Sequence, residues 1–215
     1  IESFAKALKT VAPKRARVEY AEKRVADMMA QLKELHLYGN NLGGEGAAAI
    51  AAAAAGGGMT RLKELHLGEN QIGAAGMQAL ASAFAGGAFR ELETLHLGNN
   101  QIGNAGAVAL AAEFEKGTLP KLEDLFLHEN EISDEGMKPL MAAARGGWLP
   151  KLARLDVDGN ECGDAYLDAM ADLIEDGHLP SLKLLVVNDE HKECPRLKAA
   201  CEARGIGLHD DVSVM

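Results

Sequence analysis

Aromatic residues are scarce in this chain: Phe, Tyr and Trp make up 4% of it, with a single tryptophan. A core built without them has to be aliphatic, and leucine and alanine supply the material. No run of about 18 apolar residues occurs, which excludes a membrane-spanning helix of ordinary length. The stretch AAAIAAAAAGGG at 47–58 is too short and too weakly hydrophobic to serve as one. Cysteine is rare as well. Cys162, Cys194 and Cys201 form an odd set without framework spacing, which points to a reducing, intracellular compartment. Cys194 and Cys201 stand seven residues apart across an expected short helix, so roughly 10 Å of rise keeps them beyond disulfide reach. The first residue is Ile1, and the expectation is a cytoplasmic chain or one that enters an organelle after losing an upstream targeting segment. There is no G-x-x-x-x-G-K-[ST], so GGEG at 43–46 is not read as a phosphate loop.

What is present is repetition. With a period of 30, one apolar column runs Leu32, Leu62, Leu92, Leu122, Leu152, Leu182. A second runs Leu35, Leu65, Leu95, Leu125, Leu155, Leu185, and a third Leu37, Leu67, Leu97, Leu127, Val157, Val187. Asn40, Asn70, Asn100, Asn130 and Asn160 follow, then Leu42, Ile72, Ile102, Ile132 and Cys162. The sixth unit loses its asparagine to Glu190. The second half of each unit reads as a helix. Leu80, Leu110, Leu140 and Met170 are followed four residues on by Phe84, Phe114, Ala144 and Ile174, one helical stripe. Asn104, Asp134 and Asp164 stand where N-caps are expected. Gly57, Gly87, Gly117, Gly147 and Gly177 stand where a left-handed helix end is needed. Pro120, Pro150 and Pro180 keep the helix from running into the next strand.

The motif L-x-x-L-x-L-x-x-N-x-L, five times over, resembles a leucine-rich repeat. Helix-bearing units of this length resemble the ribonuclease-inhibitor-like class, and the likeness covers residues 32–190. It implies an α/β solenoid of 30-residue repeats, with a curved parallel sheet on the concave face and helices on the convex face. The physics agrees, because one unit cannot bury its leucines alone but stacked neighbours can. The asparagines are expected to turn inward and bond the backbone of the next turn. Residues 1–31 are expected to form a helical N-terminal cap, with one helix within 1–10 and another over 14–30 whose stripe includes Met28. Residues 191–215 should form a C-terminal cap and tail, with a helix from Pro195 to residue 204 ended by Gly205 and Gly207, and loosely held last residues.

Strand alternation places Lys33, Glu34, His36 and Tyr38 on the exposed concave face, with Lys63, Glu64 and His66 beside them. Glu93, Thr94 and His96 follow, then Glu123, Asp124, Phe126 and His128, then Arg154, Asp156 and Asp158. Leu184, Val186 and Asn188 complete the face. His36, His66 and His96 form a ladder at a strand spacing of about 4.8 Å. Three imidazoles invite comparison with zinc sites, but neighbours on parallel strands point the same way and no supporting set is evident, so no metal or cofactor is expected. Tyr166 breaks the glycine column of Gly46, Gly76, Gly106 and Gly136 and implies a locally different helix approach. Trp148 is either a loop anchor for a partner or, on ordinary burial preferences, packed over the adjacent loop.

Charge runs along the chain, from a net +3 in residues 1–30 to −6 in residues 151–180. In a solenoid that gradient is spatial. The acidic end should repel nucleic acid and attract a basic protein surface, or simply serve solubility. The expected role is a non-catalytic protein-binding scaffold or adaptor, alone or as one subunit of a larger assembly. Its candidate contacts are His36, Tyr38, His66, His96, Asp124, Phe126, His128, Glu129, Arg154, Asp156 and Asp158. The alternative is a regulator of a small GTPase, resembling the GTPase-activating proteins of this repeat class. Those carry longer arrays and an acidic tail, whereas this chain closes on HDDVSVM.

Overall fold

In the computed structural model, residues 27–209 are described. The helix expected within 1–10, most of that expected over 14–30, and the tail beyond 209 lie outside them. Residues 27–29 are helical, but Met28 is 69% exposed and does not take its expected place in a buried stripe.

Seven short strands pair in parallel in chain order: β1 (Glu34–His36), β2 (Glu64–His66), β3 (Thr94–His96), β4 (Asp124–Phe126), β5 (Arg154–Asp156), β6 (Leu184–Val186) and β7 (Gly207–His209). The register steps by 30 residues, Leu35 opposite Leu65 opposite Leu95, and so on to Leu185. Between strands run α1 (Gly43–Ala53), α2 (Gly73–Ala85), α3 (Gly103–Phe114), α4 (Asp134–Arg145) and α5 (Asp164–Glu175). A π-helical turn, Ala54–Gly58, extends α1. Helix α6 (Asp189–Lys192) and helix α7 (Pro195–Arg204) follow β6. Pro195 opens α7, and Gly205, at φ 66°, closes it. The seventh strand was not foreseen; it covers the edge of β6 and buries Val186, which alternation had placed in the open.

The leucine columns from Leu62 onward form one continuous core with the helical stripes of Leu80 and Phe84 and their equivalents. Gly57, Gly87, Gly117, Gly147 and Gly177 all take φ between 64° and 86°, which a side chain would strain. Tyr166 is buried at the helix contact where the other units place glycine. A Cβ on Gly106 would come within 2.1 Å of the Ile102 side chain and 3.2 Å of Met77, so that column sets how closely helices approach. At Tyr166 a groove lined by Met137, Met141, Ala165 and Ala169 opens between α4 and α5.

Asn104 and Asp134 are not caps of their own helices. Asn104 lies inside α3, where its Oδ1 accepts from Ser133 N–H at 2.8 Å and its Nδ2 donates to Ser133 Oγ at 2.9 Å. Ser133 is the cap of α4, accepting from Glu135 N–H. Asp134 Oδ1 accepts from Gly163 N–H at 2.8 Å. These side chains join successive units. Asp164 is the first residue of α5, behind Gly163 at the cap, where its charge complements the helix dipole.

The asparagine column does turn inward, but toward the preceding unit. Asn100, fully buried, donates through Nδ2 to the carbonyls of Leu67, Leu97 and Gly98 at 2.9–3.1 Å. Its Oδ1 accepts from Asn70 N–H at 3.0 Å and Ile72 N–H at 3.3 Å. Asn70, Asn130 and Asn160 repeat the pattern. Asn40 is exposed and its side chain donates to Tyr38 O. All three cysteines are free. Among the described residues no helix is long and apolar enough to cross a membrane.

Asn100→Ala should therefore lower stability by about 3 kcal/mol or more, since each buried group left unpaired costs about 1–3 kcal/mol. Asn40→Ala should cost less than about 1 kcal/mol, as surface changes do. Denaturant titration of both variants checks this; equal losses would separate the column from the stability of the fold.

Candidate functional site

The concave face is the surface of the solenoid where side chains of different units meet without serving the leucine core. Its centre is His96. His36 and His66 stack with ring centroids 4.3 Å apart and planes 10° apart, and His66 leads on to His96 at 5.8 Å. Phe126 stacks on the other side of His96 at 5.0 Å. Tyr38 and His128 then reach His96 edge-on from opposite sides, at 6.0 and 5.1 Å. Glycine makes both approaches possible. A Cβ on Gly68 would sit 2.8 Å from the Tyr38 ring, and one on Gly98 would sit 2.1 Å from His128 Nε2. Tyr38 and His128 thus lie across the bare backbone of the neighbouring strand ends.

The acidic half is less open than alternation implied. Asp124, Phe126 and Asp156 are buried, with relative exposures of 7%, 8% and 0%. The concave side of a closely spaced parallel sheet crowds long side chains over short ones. Arg154 lies across Asp124, its Nε 2.6 Å from Oδ1 and its second nitrogen on Oδ2. His128 Nδ1 meets Asp156 Oδ2 at 2.7 Å, and Asp156 Oδ1 accepts from Asp158 N–H at 3.1 Å. Asp124 and Asp156 therefore work inside the protein, not as free charges facing a partner. Exposed acids of this region include Glu123, Glu129 and, two units earlier, Glu69. Lys63 is held by Glu93 at 2.7 Å.

The electrostatics follow from this packing. Burial, then the nearby His128 and His66, push the His96 imidazole down to about 4, and its Nδ1 is buried without a hydrogen-bond partner among the described residues. Burial alone would lower His128 too, but the hydrogen bond to Asp156 and the charges of Asp156, Glu129 and Asp158 outweigh it and raise it. Asp158 is raised, chiefly by burial. Tyr38 is raised by the hydrogen bond to Glu69, a contact the spacing of the two residues did not reveal. His128 and Asp156 have the pairing of a base and its orienting carboxylate, yet Nε2 abuts Gly98 instead of a hydroxyl or thiol.

Trp148 stands apart from this face, in the loop between α4 and β5. It is 45% exposed, and its ring lies over Gly117 of the preceding loop, where an added Cβ would sit 3.7 Å from it.

Two opposed pH effects follow. His128 has a folded pKa above its ordinary 6.5, so its contribution is complete below pH 6.5 and is lost as pH rises through the folded value. His96 is depressed from 6.5 to about 4, so the folded state loses stability as pH falls across that interval. NMR titration should find His128 above 6.5 in the native chain and lower in Asp156→Asn, where only Glu129 and Asp158 remain to oppose burial. Thermal melting of His96→Phe should be flatter between pH 6.5 and 4 than that of the native chain.

A family model described as Leucine Rich repeat matches residues 31–51, 59–81, 90–111 and 118–141, four consecutive units. No curated protein matches the chain. The matched segments each hold a strand, the turn after it and the first two turns or more of the following helix, and the same unit recurs in β5–α5 beyond them. The chain belongs to the leucine-rich-repeat proteins.

Proposed function

We propose that this repeat scaffold binds another protein on its concave face, as a non-catalytic adaptor or a subunit of a larger assembly. The observation that carries the reading is the floor around His96. Five imidazole, phenol and phenyl groups converge there outside the leucine core, and Tyr38 at their edge is 54% exposed. An aromatic floor with an acidic border suits a partner that brings apolar side chains to the centre and basic ones to the rim. Glu69, Glu123 and Glu129 supply that border, while the nearby cations Lys63 and Arg154 are already engaged by Glu93 and Asp124. A net charge of −10 works against a polyphosphate ligand.

Capture from native lysate with crosslinking supplies the partner for the test. Glu123→Lys combined with Glu129→Lys should slow its association and flatten the salt dependence while leaving melting within a few degrees, because exposed ion pairs act chiefly on encounter. Tyr38→Ala should speed dissociation. Binding that survives all three changes and fails on Trp148→Ala would move the interface to the loop edge. Addition of the chain should leave GTP hydrolysis by small GTPases unchanged; acceleration would favour the regulator instead.

A further inference from the structure

The tripeptide Glu-Leu-His occupies β1 and β2 in register, and becomes Thr-Leu-His in β3. Glu34 pairs with Glu64 and His36 with His66, so two carboxylates and two imidazoles share one corner of the concave face. The Glu64 carboxylate lies against both rings, its Oε2 3.3 Å from His66 Nε2 and 4.0 Å from His36 Nε2. One ligating atom from each of His36, Glu64 and His66 lies within 4.8 Å of the other two, the one such group among the described residues.

We propose that His36, His66 and Glu64 form a binding site for a divalent transition-metal ion of the zinc type. Atoms that share a tetrahedral zinc at about 2.0–2.2 Å lie roughly 3.3–3.6 Å apart. The His66–Glu64 separation already meets this, and His36 has to close by about 0.5 Å on Glu64 and by no more than about 1.5 Å on His66. Its side chain is 56% exposed and is packed only on the His66 ring, so that rotation loosens this stack and leaves the core untouched. Ladder histidines point the same way, but the Glu64 carboxylate stands beside the Nε2 atoms of both rings and gives them a common neighbour. Two imidazoles and a carboxylate are a borderline-metal set, with the carboxylate offsetting part of the ion's charge. Glu34, its Oε2 3.7 Å from His36 Nε2, adds negative potential beside the site. Lys63 does not compete for Glu64, since it is bonded to Glu93. His96 is excluded by its more distant, tilted ring, its packing on Phe126 and the threonine at position 94. The fourth position faces solvent, where water or a donor from another molecule completes the coordination.

Zinc ion alone, titrated into the full chain against a competing chromophoric chelator, should bind one equivalent saturably and raise the melting temperature. Cobalt(II) should occupy the same site with visible ligand-field absorption. His36→Ala and Glu64→Gln should each weaken zinc binding about tenfold or more and abolish the cobalt spectrum, with melting of the metal-free chain unchanged. His96→Gln should leave zinc affinity where it was. Absence of a saturable equivalent overturns the proposal. So does zinc binding that persists in both His36→Ala and Glu64→Gln, or that is lost equally in His96→Gln.

Discussion

A buried asparagine that bonds two units at once is the constraint on which the rest of this structure depends. Each turn between strand and helix leaves backbone amides and carbonyls pointing inward, at a place where water is excluded. One carboxamide serves them all: its nitrogen takes two carbonyls of its own turn and one of the preceding turn, and its oxygen takes two amides of the preceding turn. Neither a hydroxyl nor a carboxylate offers that set of donors and acceptors. Because three of these five bonds cross to the neighbour, a unit cannot satisfy its own polar groups alone. Stacking at a fixed 30-residue register is therefore a hydrogen-bonding requirement as well as a hydrophobic one.

That register determines what the concave face can be. Equivalent positions of successive strands are brought side by side, so a column in the sequence becomes a row in space. Where the row keeps one residue, as at His36, His66 and His96, like groups are stacked. Where it changes, unlike groups meet: Arg154 covers Asp124, and His128 reaches forward to Asp156. The glycines at 68 and 98 belong to the same logic, since each leaves room for a large side chain from a neighbouring unit to lie flat on its backbone.

Whatever depended on period alone was legible in the sequence. The leucine columns, the helix-ending glycines and the helix opened by Pro195 all sit where spacing put them, because the regularity of the chain is the regularity of the backbone. What was not legible depended on a neighbour in another unit, 23–30 residues away. Asp156 looks exposed by strand alternation and is sealed by His128 from the unit before. Asn104 and Asp134 look like caps and bond the following unit. Val186 looks exposed until Gly207–His209 pairs beside it, a strand that stands 23 residues on and so off the 30-residue period. The approach of Glu64 to two histidines is of the same kind. It is written in the repeated Glu-Leu-His, but only the parallel register says that the two copies touch.

A scaffold made of near-copies can carry function only where the copies differ. The columns that hold the fold hardly vary through the first four units, since any change there breaks bonds on both sides. The three concave positions are released from that demand, and they diverge along the array. The first reads Glu, Glu, Thr, Asp, Arg from Glu34 to Arg154, the second His, His, His, Phe, Asp from His36 to Asp156, and the third Tyr, Gly, Gly, His, Asp from Tyr38 to Asp158. Paired imidazoles and carboxylates therefore occupy the first two strands, an aromatic floor the next two, and internally paired charge the fifth. One parallel sheet thus presents different chemistries along its length without changing its backbone. A ligand that spans it has to match them in that order, which gives a curved repeat array direction as well as affinity.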